Sequence, residues 1–207
     1  MSLDLEPATG QGGTSVLELE NEPDVRREFI DGEWVPKHPL TPPEETERKG
    51  HEWIDGQWVE KPMSTESGIV EINLGTALNV FVRASNLGVV ISSAGRYKLF
   101  ADQNRIREPD LSFIRRERKY TRVMTFPPDL AVEVISPSDV AENVETKLDE
   151  YLRAGVRLIW FVYVPTRNVW AYRPDGTARL YRAADTLQGE DVLPGFTMPV
   201  AEVFLEV

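Results

Sequence analysis

Asp110, Glu133 and Lys147 are the residues whose types and spacing can do chemistry together. Asp110 stands in Glu108-Pro109-Asp110-Leu111-Ser112-Phe113, and Glu133 in Asp129-Leu130-Ala131-Val132-Glu133-Val134-Ile135. Both segments read as strands, and a carboxylate rarely enters such a setting alone, because an unpaired buried charge is very costly. Its partner is a metal ion, a lysine, or both. Side chains alternate along a strand, so Asp110, Ser112 and Ile114 share one face and Ala131, Glu133 and Ile135 another. If the strands are neighbours, the two carboxylates converge, and they repel unless a cation or a proton joins them. Mg²⁺ favours one or two carboxylates together with a carbonyl, waters and phosphate oxygens. Such an ion lowers the pKa of a bound water and neutralises charge at a reacting phosphorus. Lys147 shares a helical side with Val144, Leu148 and Tyr151, where it can orient an attacking water or hold a phosphate. From these residues alone, an ordinary Glu–Lys salt bridge remains the alternative.

The elements that must position these groups follow from periodicity. Residues 64–86 predict a helix, with Ile69, Ile72, Ala77, Val80 and Phe81 as apolar residues at helical spacing, together with Val70, Leu74 and Leu78, and Gly88 where it would stop. Strands are expected at 89–91, 97–100 and 106–114, followed by a basic loop at 115–128. Residues 130–135 are short, β-branched and continuously apolar, as a central strand would be. Asp139, with Glu142 three residues on, predicts a capped helix that ends at Gly155. Strands at 158–164, 168–173 and 178–181, an irregular wrap at 193–199 and a short segment at 200–204 complete the chain. Helix, meander, helix and strands together predict an α/β sheet with helices against it.

Upstream, Glu28-Phe29-Ile30-Asp31-Gly32-Glu33-Trp34-Val35 returns as Glu52-Trp53-Ile54-Asp55-Gly56-Gln57-Trp58-Val59. Asp-Gly between β-formers predicts a tight hairpin in each copy. Two copies are too few for a solenoid, so the reading is a duplicated hairpin whose second copy belongs to the domain. Residues 1–48 then form an acidic extension with an extra hairpin (27–37) and a Pro-rich linker, and residues 49–207 the main domain. Trp34, Trp53 and Trp58 are expected in cross-strand packing, and Trp160 and Trp170 in the core. His38 and His51, the only histidines, make a weak metal pair.

The chain has 207 residues and no cysteine, so disulfides and thiolate metal sites are excluded. Nothing approaches the roughly 20 apolar residues of a membrane span, no secretory signal is visible, and a cytoplasmic location is expected. A net charge of −11 argues at first against nucleic acid. The distribution argues otherwise: residues 1–62 carry 15 acids against 6 bases, whereas residues 92–122 carry 9 bases against 4 acids. The basic excess surrounds Asp110.

These segments in succession resemble the Uma-type putative restriction endonuclease family of the PD-(D/E)XK nuclease superfamily. The resemblance rests on the Asp110 and Glu133 segments, on Ser136-Pro137-Ser138 and on Lys147-Leu148-Asp149-Glu150-Tyr151-Leu152-Arg153-Ala154-Gly155-Val156. Trp160-Phe161-Val162, Val192-Leu193-Pro194-Gly195-Phe196 and the second hairpin extend it over about residues 51–205. It implies a restriction-endonuclease-like mixed sheet of four or five strands flanked by helices, here with an N-terminal hairpin extension. It also implies Mg²⁺-dependent (or Mn²⁺-dependent) hydrolysis of DNA phosphodiester bonds; a homodimer is expected as the working form. Asp110, Glu133 and the Val134 carbonyl would hold the metal, and Asp110, Glu133 and Lys147 would be catalytic. Tyr151 would support the site. The superfamily lysine two residues beyond the second acid falls on Ile135, so Lys147 is its migrated equivalent. A family histidine falls on Ser67 and an aspartate on Asn143, while the first-helix acid has Glu66 or Glu71 as candidates. A non-catalytic interaction module of the same fold, and a nuclease for RNA or branched nucleic acid, are the competing readings.

Overall fold

The computed structural model describes the strand backbones of residues 27–30 and 33–36, residues 51–54 and 57–60, and residues 64–207 apart from 104. Expectations for residues 1–26, for the Pro-rich linker, for His38 and for the Trp34 side chain fall outside these. Chain contacts divide Met1–Pro39 from Leu40–Val207. In the first unit, β1 (Arg27–Ile30) pairs antiparallel with β2 (Glu33–Pro36), Ile30 opposite Glu33. In the second, β3 (His51–Ile54) pairs with β4 (Gln57–Glu60) in the same register, Ile54 opposite Gln57. The sequence repeat is therefore a repeat of backbone pairing. Trp53 and Trp58 face each other across the second hairpin with ring centroids 5.2 Å apart, edge to face.

The helix α1 (Thr65–Ala84) starts at Ser64, whose Oγ accepts the Ser67 N–H at 3.1 Å. Its buried stripe is Val70, Leu74, Leu78 and Val82, four residues apart. Ile72 and Val80, expected on the apolar face, are 66% and 64% exposed. With so many apolar residues in the segment, composition alone did not fix which stripe faces the sheet. The helix ends at Ser85, before Gly88. Gly88 serves another purpose: a Cβ there would lie 2.0 Å from the Ile114 carbonyl oxygen of the neighbouring strand.

The central sheet follows: β5 (Gly88–Ser92), β7 (Leu111–Arg115), β8 (Leu130–Ile135), β9 (Leu158–Tyr163), β10 (Asn168–Tyr172) and β11 (Ala178–Tyr181), with β6 (Arg105–Ile106) lying between β5 and β7 in sequence. The spatial order is β11-β10-β9-β8-β7-β5, parallel only between β8 and β9 and antiparallel elsewhere. The parallel pair is joined through α2 (Ala141–Ala154), as parallel neighbours require. All six residues of β8 are buried, the mark of a strand covered on both faces. On one face α1 packs its stripe on Leu111, Phe113, Leu130 and Val132. On the other, α2 brings Tyr151 onto Ala131, Ile135, Ile159 and Phe161.

Several local expectations are corrected. Residues 97–100 form no strand; Tyr97 makes isolated bridges to Arg107 and Met124. The expected strand at 106–114 is two elements, with Pro109, which has no N–H to donate, between them. The first, β6, pairs with β3 and ties the second hairpin to the domain. Asp139 does not cap α2: its Oδ2 accepts the N–H and hydroxyl of Ser136, each at 2.7 Å, and the N-cap position is Val140. A short carboxylate beside free backbone donors competes in this way with capping. Gly155 does end α2, in the left-handed conformation at φ 81°. The expected wrap at 193–199 ends in a strand, β13 (Thr197–Pro199), which pairs with β12 (Thr186–Gln188) and is followed by α3 (Val200–Val203). The sheet has six strands rather than four or five, continued outward from β9 by the β10–β11 hairpin. Trp160 is buried, whereas Trp170 is half-buried and stacks on Tyr172. No helix among the described residues is long and apolar enough to cross a membrane.

Tyr97 fills the remaining part of the α2-side face, fully buried against Ile114 and Met124, its hydroxyl donating to Ser112 Oγ at 2.8 Å. Burial pushes its pKa from 10.0 up to about 12. The folded value lies above the unfolded one, so this contribution to stability is complete below pH 10 and is lost as pH climbs toward 12. Melting temperature is expected to fall across that window, and to fall less steeply in Tyr97→Phe. Equal slopes for the two proteins would remove Tyr97 from the account.

Candidate active site

The register of the sheet brings the two acids together. Strand β7 runs antiparallel to β8 with Leu111 opposite Val132 and Ser112 opposite Ala131. Extending that register by one residue sets Asp110 opposite Glu133, and directly opposed residues project to the same face. That face is the one α2 covers. Asp110 is half-buried, and its Oδ2 accepts the Val134 N–H at 2.7 Å. The carbonyl of Ile135 accepts from Val164 beyond β9 at 3.1 Å. Peptide groups alternate sides along a strand, so the Val134 peptide edge faces Asp110.

Glu133 is 2% exposed and engaged through both carboxylate oxygens. Lys147 Nζ donates to Oε2 at 3.0 Å, and the Tyr151 hydroxyl to Oε1 at 2.7 Å. The two donors are four residues apart on α2 and so lie on one side of it. Burial, then the charge of Glu133 beside it, holds the Tyr151 hydroxyl well above its usual pKa, so it remains a donor. The expected face-sharing and the reach of Lys147 are both present. Glu66 and Glu71 stand on α1, across the sheet from α2.

A chain of buried charges behind the acids was not foreseen. Glu52, 4% exposed on β3, lies 3.7 Å from Lys147 Nζ and accepts the Arg107 guanidinium at 2.9 Å and the Glu108 N–H at 3.1 Å. Arg107 also donates to Glu150 at 2.6 Å, and Glu150 pairs with Arg105. Burial alone would pull the Arg107 pKa down, but Glu52 and Glu150 outweigh it and raise the value. Two signals were available. Glu52 stands in the repeated hairpin, and Glu150 is three residues from Lys147 on the same side of α2. What the sequence withheld was the pairing, since Arg107 is 55 positions from Glu52 and 43 from Glu150.

Much of the basic excess around Asp110 is spent on acids of the same region. Arg96, Arg105 and Arg107 are consumed by Glu108, Glu150 and Glu52, and Arg115 by buried Asp129 at 2.9 Å. Arg116, Lys119 and Arg122 are exposed.

Among the described residues no group of three or more His, Cys, Asp or Glu side chains is arranged to hold a metal ion. The donor set on β7 and β8 is smaller and all oxygen: two carboxylates on one face and a peptide edge beside them. A hard divalent ion that keeps part of its water shell needs no more than this. The residues fit Mg²⁺ or Mn²⁺ and would be poor ligands for a thiophilic metal.

Comparison with known proteins gives the same architecture. No curated protein matches the sequence at a significant level. A crystal structure described as a putative nuclease belonging to DUF820, from Anabaena variabilis, superposes with a TM-score of 0.66 at 18% identity, over 77% of this chain and 92% of that one. At that identity the likeness is one of fold: a central mixed sheet flanked by helices, as expected. The family model Uma2, described as "Putative restriction endonuclease", matches residues 41–201, more than three-quarters of the sequence. This chain belongs to the Uma2 family.

Proposed function

We propose that this protein is a Mg²⁺-dependent endonuclease that hydrolyses DNA phosphodiester bonds. The observation that carries the proposal is the placement of Asp110 opposite Glu133, with Lys147 Nζ 3.0 Å from the Glu133 carboxylate. Asp110, Glu133 and the Val134 carbonyl would hold the ion, with Mn²⁺ as a substitute. When bound, the ion supplies an acidified water and neutralises charge on the phosphate. Lys147 donates toward the attacking water or a phosphate oxygen, and Glu133 positions the ammonium that does so. Tyr151 holds Glu133 in place from the far oxygen, and the strands fix both acids, so little reorganisation is needed at reaction. The exposed cations Arg116 and Lys119, on the loop that follows β7, offer phosphate contacts.

The test is cleavage of single-stranded DNA and of supercoiled plasmid DNA with Mg²⁺, with Mn²⁺ and with a chelator. Cleavage is expected with either metal and abolished by chelation. A second reading, a non-catalytic module with this fold, is favoured by one feature: Glu133 is almost wholly buried and both its oxygens are already bonded. Absence of cleavage under any metal, on DNA and RNA alike, would establish that module.

A further inference from the structure

A cleft of about 330 Å³ opens at the β5 edge of the sheet, lined by Ile91 of that strand and by Gly95, Arg96, Tyr120, Thr121 and Arg122, with Met124 among its apolar residues. It is held by backbone bonds: the Met124 N–H donates to the Arg96 carbonyl at 2.8 Å, and the Lys98 N–H to the Met124 carbonyl at 2.9 Å. It is tied to the segment that carries Asp110 through two links. Arg96 bonds Glu108, two residues before Asp110, at 3.0 Å, and Tyr97, the next residue, bonds Ser112, two residues after it. The wall at Tyr120 is unusual. Tyr120 is 66% exposed and is the one aromatic among the exposed large hydrophobic residues of the described chain. It stands in Lys119-Tyr120-Thr121-Arg122, with an exposed cation on each side. A neighbouring cation, Arg118, is tied inward, donating to the Pro127 carbonyl at 2.8 Å and lying over the Phe126 ring. The loop is thus anchored at Arg118 and presents Tyr120 outward.

We propose that this cleft is a nucleotide subsite, in which an unpaired nucleotide next to the scissile phosphate stacks its base on Tyr120. The inference rests on the nuclease reading and specifies its substrate: nucleic acid with at least one unpaired nucleotide at the cut. Stacking on a side chain needs a free π-face, which a base inside a duplex does not offer. The volume lies at the small end of ligand pockets, roughly 300–1,000 Å³, which suits one heterocycle and not a duplex. Lys119 and Arg122 would take the flanking phosphates.

The experiment is fluorescence anisotropy of the full chain in chelator, so that nothing is cut. The probes are a labelled 12-nucleotide single strand of DNA, the same strand in RNA, and the DNA duplex. Tyr120→Ala is expected to weaken single-strand binding roughly 10-fold, in line with what base stacking is worth, and duplex binding much less. Tyr120→Phe should bind as wild type does, since it keeps the ring. A greater loss with the DNA strand than with the RNA strand marks DNA as the source of the nucleotide, and the reverse marks RNA; either supports the subsite. Wild-type affinity in Tyr120→Ala, or a Phe variant as weak as Ala, overturns the subsite and leaves the nuclease reading standing. A wild type that neither binds any probe nor cleaves single-stranded or plasmid DNA overturns both.

Discussion

Lys147→Met is expected to lower the rate of DNA cleavage by about 100-fold or more, the usual loss when one charge contact to a transition state is removed. Methionine keeps the helix propensity and most of the stem length. The substitution has a structural cost as well, because Glu133 is 2% exposed and loses the Lys147 ammonium. Tyr151 still holds the other oxygen, so a loss of up to about 3 kcal/mol is expected rather than collapse. Rates measured well below the melting temperature of the variant separate the two effects. A variant that cuts as fast as wild type would make Lys147 a structural partner of Glu133 and end its catalytic assignment.

The largest stability effect is expected at Arg107, in the buried charge network behind the acids. Arg107 is 6% exposed and bridges Glu52 and Glu150, themselves each 4% exposed. Arg107→Met strands two buried carboxylates, and removing one partner of a buried pair costs about 3–5 kcal/mol. The lower end is expected, since Arg105 still pairs with Glu150 and Lys147 lies near Glu52. For a chain of this size that is a drop in melting temperature of roughly 6–12 °C. The exposed pair Arg153–Asp149, with side chains 56% and 63% accessible, supplies the control. Asp149→Ala should cost under about 0.5 kcal/mol. If the two variants melt alike, the buried network does not hold the hairpin β3–β4 to the sheet.

How much of this was legible in the sequence depends on the range of the interaction. The acid faces came from period-two alternation, and the face of α2 carrying Lys147 and Tyr151 from helical spacing; both are local rules, and the geometry agrees with them. The second hairpin was legible from Asp-Gly between β-formers, although its attachment to β6 was not. Arg107 pairs with Glu52 and Glu150 across long stretches of chain, and nothing local distinguishes it from the exposed cations of the same basic region. The stripe of α1 was misassigned for a related reason. Ile72 and Val80 are as apolar as Leu74 and Leu78, and only the docked sheet decides between the two sides. Asp139 shows the reverse case, where a local rule pointed to a cap and a nearer donor, Ser136, took the carboxylate instead.

The central claim is that Asp110 and Glu133 form one divalent-ion site, and calorimetric titration of Mg²⁺ and Mn²⁺ into the full chain tests it most directly. Wild type is expected to bind, with binding lost or greatly weakened in Asp110→Ala and in Glu133→Ala. Lys147→Met, which leaves both acids in place, is expected to bind still. Equal binding by wild type and both alanine variants, or no binding by wild type, would contradict the account.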